Sequence, residues 1–124
     1  MSNIGMPKQI QKNMMDSETM DAVRIHSGDP GSDGSQNQLG DLKSVNILSA
    51  AEDGDLVHRE TEVDVEWEGL TPEEDVLYFS FWEDGDPAVL KFIGEIKTGL
   101  KQVTSEGKVE LKAGTRCYFE NKTY

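Results

Sequence analysis

The chain has 124 residues, with 24 acidic and 12 basic side chains and a formal net charge of -12. That length holds one hydrophobic core rather than two, and the acidity opposes direct binding to a nucleic-acid backbone. A single cysteine, Cys117, excludes an intrachain disulfide. No run approaches the roughly 20 apolar residues of a membrane-spanning helix. No secretory leader pattern stands at the N-terminus either, so synthesis in a reducing cytoplasm is expected.

Residues 1–41 read as an extended N-terminal arm followed by a linker. Pro7 suits a first helical turn, and Asp16 or Ser17 suits a cap. Ile10, Met14, Met15, Met20 and Val23, however, do not fall on one stripe of 3.6-residue period, so no self-sufficient helix is expected. Methionine fills irregular grooves, which makes Ile10, Met14, Met15 and Met20 candidate contacts to a partner. From His26 to Asp41 the chain is rich in Gly, Ser, Asp and Asn, the chemistry of a flexible linker. Asp29, Asp33 and Asp41 lack the spacing of a calcium loop, and no metal site is expected there.

Residues 42–124 read as the folded domain. Residues 42–49 alternate weakly, with Val45 and Ile47 in register. Residues 56–67 read as one long strand, with room for a bulge near His58 and Arg59. Its second half places Val63, Val65 and Trp67 on a dry face and Glu62, Asp64, Glu66 and Glu68 on a wet one. Carboxylates about 6.6 to 6.8 Å apart along one strand face repel each other. This acidic face is expected to meet solvent, a basic surface, or a cation with help from Asp84 or Asp86.

A loop over residues 69–75, whose Thr71 to Glu74 stretch suits one helical turn, leads to residues 76–82. There both faces are apolar or aromatic, the mark of a central strand or of an aromatic face shown to a partner. Leu77, Phe79 and Phe81 are assigned to the core. Tyr78 and Trp82 are assigned to the outer face as interface candidates. Asp84-Gly85 marks a hairpin, and further strands are expected at residues 88–96, 100–104, 108–112 and 115–120. Seven short strands predict a mainly β fold, a small antiparallel β-sandwich that is Ig-like or barrel-like, with an α+β domain as the alternative.

Charge is uneven along the chain. Residues 52–86 carry fourteen acids against one base, whereas residues 87–124 carry four acids against seven bases. Halves of opposite sign attract a basic partner or a second copy. Chemistry is sparse: His26 and His58 lack the neighbours in sequence that a nucleophilic or metal site needs, and Cys117 reads as a small apolar strand residue. Phosphate-cradling loops, dinucleotide fingerprints and Cys-x-x-Cys pairs are missing. No catalytic residue, cofactor or metal is therefore expected.

These features predict a non-enzymatic structural protein of a large assembly. A virion is favoured, with the chain as a capsid decoration, head-completion or tail protein of a virus or phage, made in the host cytoplasm and attached through its arm. Its partners would be other structural proteins or copies of itself, in an oligomer or lattice, with no nucleic acid and no membrane. The alternative is a cytoplasmic carbohydrate- or peptide-binding module using Trp82, Tyr78 and Trp67. A third reading is a small inhibitor whose acidic strand imitates a polyanion.

Overall fold

The computed structural model describes residues 7–54, 56–96 and 101–120, with side chains described as far as Cys117. Among these residues one helix, α1 (Lys8–Ser17), precedes eleven strands: β1 (Ala22–His26), β2 (Gln38–Ser44), β3 (Ala51–Asp53), β4 (Leu56–Glu60), β5 (Val65–Trp67), β6 (Asp75–Val76), β7 (Tyr78–Glu83), β8 (Val89–Glu95), β9 (Lys101–Gln102), β10 (Val109–Leu111) and β11 (Arg116–Glu120). The fold is mainly β. Strands are ordered β2-β1-β7-β8, β11-β4-β3, β10-β5 and β6-β9 in four sheets, and every pairing is antiparallel.

In the four-stranded sheet the two inner strands, β1 and β7, are largely buried on both faces, whereas β2 and β8 are half-buried or exposed. Val23 and Ile25 of β1 stand across from Phe81 and Phe79 of β7, and these join Val57, Val65, Trp67, Val109, Leu111 and Cys117 in the main core. Phe79, Phe81 and Phe92 form a cluster with ring centroids 5.2 to 6.2 Å apart, geometry in which aromatic pairs add to simple burial. Gly94 lies opposite Phe79. A Cβ there would come 2.3 Å from the ring, so only glycine lets the phenyl lie over β8. The other face carries Ala22, Arg24, His26, Tyr78, Ser80 and Trp82 in register. Residues 27–37 cover part of it.

Those covering residues were expected to be a flexible linker. They form instead a pinned loop between β1 and β2. Asp29 accepts from the Gly31 amide and Asp33 from the Ser35 amide and hydroxyl, while Gln36 donates to the Pro30 carbonyl and Ser27 to that of Asn37. Asx turns of this kind follow directly from the Asp and Gly content. What the composition did not predict is the surface beneath: Gly34, at φ +71, sits where a Cβ would be 2.8 Å from the Trp82 ring.

Residues 22–26, expected in the arm, occupy an interior position of the sheet between β2 and β7. The expected division between residues 41 and 42 falls inside β2. α1 also forms, despite its poor stripe. Ten residues are too few for an isolated helix in water, so its stability comes from its anchors. Gln11 and Met15 are buried. Lys8 donates to the Gly54 carbonyl, Lys12 pairs with Glu52, and Asp16 accepts from the Ala50 amide.

The long strand expected over residues 56–67 is broken. β4 and β5 are separate, joined through Thr61, which bridges to Ile47, and through a bend over residues 62–64. Asp64 accepts from the Ala113 amide, and the Glu62 amide donates to Asn46. The bend turns Val63 out to 53% exposure, whereas alternation had put it on the dry face beside Val65 and Trp67. No helical turn forms over residues 71–74. β7 and β8 pair as the expected hairpin, but the connection spans residues 84–88 rather than a tight turn at Asp84-Gly85. Residues 97–99, expected as a turn, lie outside the described residues.

Candidate interaction face

Arg59 organises the region where α1 meets the sheets. It is 8% exposed and has no carboxylate partner among the described residues. Its guanidinium donates instead to four carbonyls: Nε to Leu48 (2.9 Å), Nη1 to Met15 (2.8 Å) and Glu18 (2.7 Å), and Nη2 to Ile47 (3.1 Å). Met15 and Glu18 mark the C-terminal end of α1, where orphan carbonyls and the helix dipole favour a cation. One buried arginine thus caps the helix and ties it to the strand segment at Ile47.

Beside this junction lies a cleft of 350 Å³ lined by Met14, Met15, Ser17, Glu18, Met20, Lys91, Phe92 and Cys117. Met15 and Met20 are each 7% exposed, whereas Ile10 at 47% and Met14 at 46% stand on the open surface of α1. Of the four apolar arm candidates, two are therefore packed into this chain's own core and two remain available to another molecule. Burial pushes the Cys117 thiol up to about 11. It is therefore protonated at neutral pH and poor as a nucleophile.

The aromatic candidates separate in the same way. Trp82 shares the outer face with Tyr78, as the alternation implied, but it is 8% exposed because the loop at Gly34 closes on it. Tyr78 is half-buried, and Glu95 across the strand pair holds its phenol above the usual value. Trp67 is 1% exposed, with its indole donating to the Asp41 carbonyl at 2.7 Å. Neither tryptophan offers a ring face to a ligand.

The acidic residues Glu62, Asp64, Glu66 and Glu68 are all exposed. Their basic neighbours flank β10 on either side: Lys108 stands 3.9 Å from Glu68, and Lys112 stands 3.8 Å from Asp64 while also pairing with Glu110. Arg116 likewise bridges Asp53 (2.8 Å) and Glu60 (3.6 Å). The oppositely charged halves of the sequence pair with each other within one molecule. Among the described residues no cluster of His, Cys, Asp or Glu has the form of a metal site.

Sequence reasoning missed one polar constellation. His26 and Ser80, both 0% exposed, meet at 2.7 Å, and Ser80 Oγ accepts from Trp82 Nε1–H at 2.7 Å. The Ser80 hydroxyl then donates to His26 Nε2, and His26 Nδ1–H donates to the Gln36 carbonyl at 2.9 Å. Burial, the largest influence, pushes the imidazole below its ordinary pKa. A serine–histidine contact invites a nucleophilic reading, but both groups are sealed and every hydrogen bond is internal. The chain of bonds holds the loop onto the sheet. No local signal marks it, because its partners lie 54 residues apart.

Among the described residues no helix is long and apolar enough to cross a membrane. Compared with protein-family models, with curated proteins and with solved structures, the chain matches none.

Proposed function

We propose that this chain is a non-enzymatic structural component of a larger protein assembly, and that it attaches through α1 and the adjoining cleft. The observation that carries the reading is the pair Ile10 and Met14, exposed one helical turn apart and leading into a methionine-lined recess. Exposed apolar side chains beside such a recess are the usual composition of a protein contact. A virus particle is the assembly that the sequence favours, with the helix rather than a free arm as the tether. The four-stranded sheet, sharing one core with β4, β5, β10 and β11, supports a β-sandwich as the scaffold. The carbohydrate-binding alternative loses support, because Trp67 and Trp82 are turned inward.

The test is the mass of the chain in solution by light scattering, paired with chemical cross-linking in the cells that make it. A mass above the 13.8 kDa of one chain, or a cross-linked complex, is expected. Ile10→Glu with Met14→Glu should return the protein to a monomer without altering its melting. A monomer at every concentration, with no cross-linked complex, would sink the proposal.

A further inference from the structure

The rim of the methionine cleft is electrically lopsided. Lys91 Nζ lies 3.2 Å from Glu18 Oε1 and 3.6 Å from Glu83 Oε1, with the lysine side chain 16% exposed against 55% and 43% for the two glutamates. Of these three groups the cation is the inner one, and an approaching molecule meets two carboxylates first; the Arg59 guanidinium lies deeper, on the Met15 and Glu18 carbonyls. The exposed groups of the rim are thus two carboxylates over one mostly buried ammonium, on a chain whose total charge is -12. Behind the rim the lining is Met14, Met15, Met20, Phe92 and Cys117, a wall of flexible thioethers around one ring. Methionine-rich surfaces repack around differently shaped apolar groups.

We infer that this cleft docks a segment of a partner protein that carries one large apolar anchor side chain flanked by lysine or arginine. The inference rests on the assembly reading above and specifies the partner's chemistry. The anchor removes apolar surface from water on both sides of the contact. The flanking cations meet the exposed carboxylates of Glu18 and Glu83, while the long-range field of the acidic chain draws them in. An anionic amphiphile fits poorly by comparison. It would have to displace two carboxylates from Lys91 and approach against the net charge.

The probe is a short fluorescein-labelled peptide with a Phe-Leu centre flanked by Lys-Arg pairs. It is compared with the same centre flanked by Glu pairs, by anisotropy against the intact chain. The basic peptide should bind at least about tenfold more tightly than the acidic one, and its affinity should fall with added salt. Glu18→Gln with Glu83→Gln should weaken it about tenfold and flatten the salt dependence, and Met14→Gln should weaken it severalfold at any salt. Equal affinity for the two peptides, or indifference to the glutamate substitutions, would overturn the charge assignment. No binding of either peptide by protein with an unchanged melting curve would overturn the cleft as the docking site. Either failure is separable from that of the assembly reading, which the light-scattering mass and cross-linking decide.

Discussion

Trp82 illustrates how a single residue's role depends on what lies over it. Its ring is closed in by Gly34 and Leu90, and the Arg24 guanidinium stands 5.8 Å from its centroid. Trp82→Ala is therefore expected to cost about 3 to 5 kcal/mol of stability, the range for emptying a buried tryptophan site, read by denaturant unfolding. A loss of association with unaltered unfolding would show instead that the ring is an interface group. Arg59 makes a second residue-scale case. Arg59→Ala leaves four carbonyls without their shared donor, and a loss of about 3 kcal/mol is expected. Arg59→Lys should recover only part of it, since an ammonium lacks the planar fork. Full recovery by lysine would show that charge alone matters there.

The face of Trp82 was legible in the sequence, since strict alternation over residues 78–82 puts Tyr78, Ser80 and Trp82 together. Its burial was not, because the cover comes from a Gly- and Asp-rich loop whose composition resembles any solvated turn. His26 and Arg59 were illegible for a related reason. Their partners are a hydroxyl 54 residues away and backbone carbonyls from two separate segments, and carbonyls carry no sequence signal.

At the scale of elements, β1 decides how the N-terminal third behaves. It supplies hydrogen bonds to β2 on one side and β7 on the other, and its Val23 and Ile25 are 0% and 1% exposed. Deleting residues 1–26 is expected to abolish cooperative unfolding of the remainder, monitored by circular dichroism, because it would uncover Phe79 and Phe81 and leave β7 with an unpaired edge. A remainder that still unfolds cooperatively would make β1 an appendage. The short strand AVRIH was hidden by its setting between a polar helix and a linker-like loop, where five residues give periodicity little to work with. β7 was the opposite case. Apolar residues on both faces leave a central strand or an exposed aromatic face as the two readings, and the buried Phe79, Phe81 and Trp82 decide for the central strand.

Across the whole molecule, titration follows from which groups are sealed and which are paired at the surface. His26 has its pKa pushed down by burial, with Arg24 nearby adding to the effect and the Gln36 carbonyl opposing it. The unfolded chain therefore binds this proton more readily, so stability rises with pH between the lowered folded value and about 6.5. It falls as pH drops through that window, by no more than about 1.4 kcal/mol per pH unit. Thermal melts between pH 7 and 5 should show this decline, and His26→Gln should flatten it. At lower pH a second limb is expected. Lys12 holds the Glu52 carboxyl below its usual range, and Arg116 does the same for Asp53, so their contribution is present above the ordinary carboxylate pKa and lost as pH falls through the folded one. Added salt should shrink this exposed limb and leave the His26 limb in place. An equal response of both limbs to salt would contradict the burial of His26.

The class of the protein is already written in its residue pattern: mainly β, acidic, with antiparallel strands at most of the expected places. Alternation, turn residues and charge are local properties, readable wherever side chains within a few residues share a face. Contacts between distant segments make residues 22–26 an inner strand and close the loop at residues 27–37 over Trp82. The same kind of contact sets Arg59 as the cap of α1 and brings Lys108, Lys112 and Arg116 to the acidic segment. Each of those depends on groups brought together from distant positions, where burial and pairing are set by the neighbour in space, and no local pattern encodes which neighbour that will be.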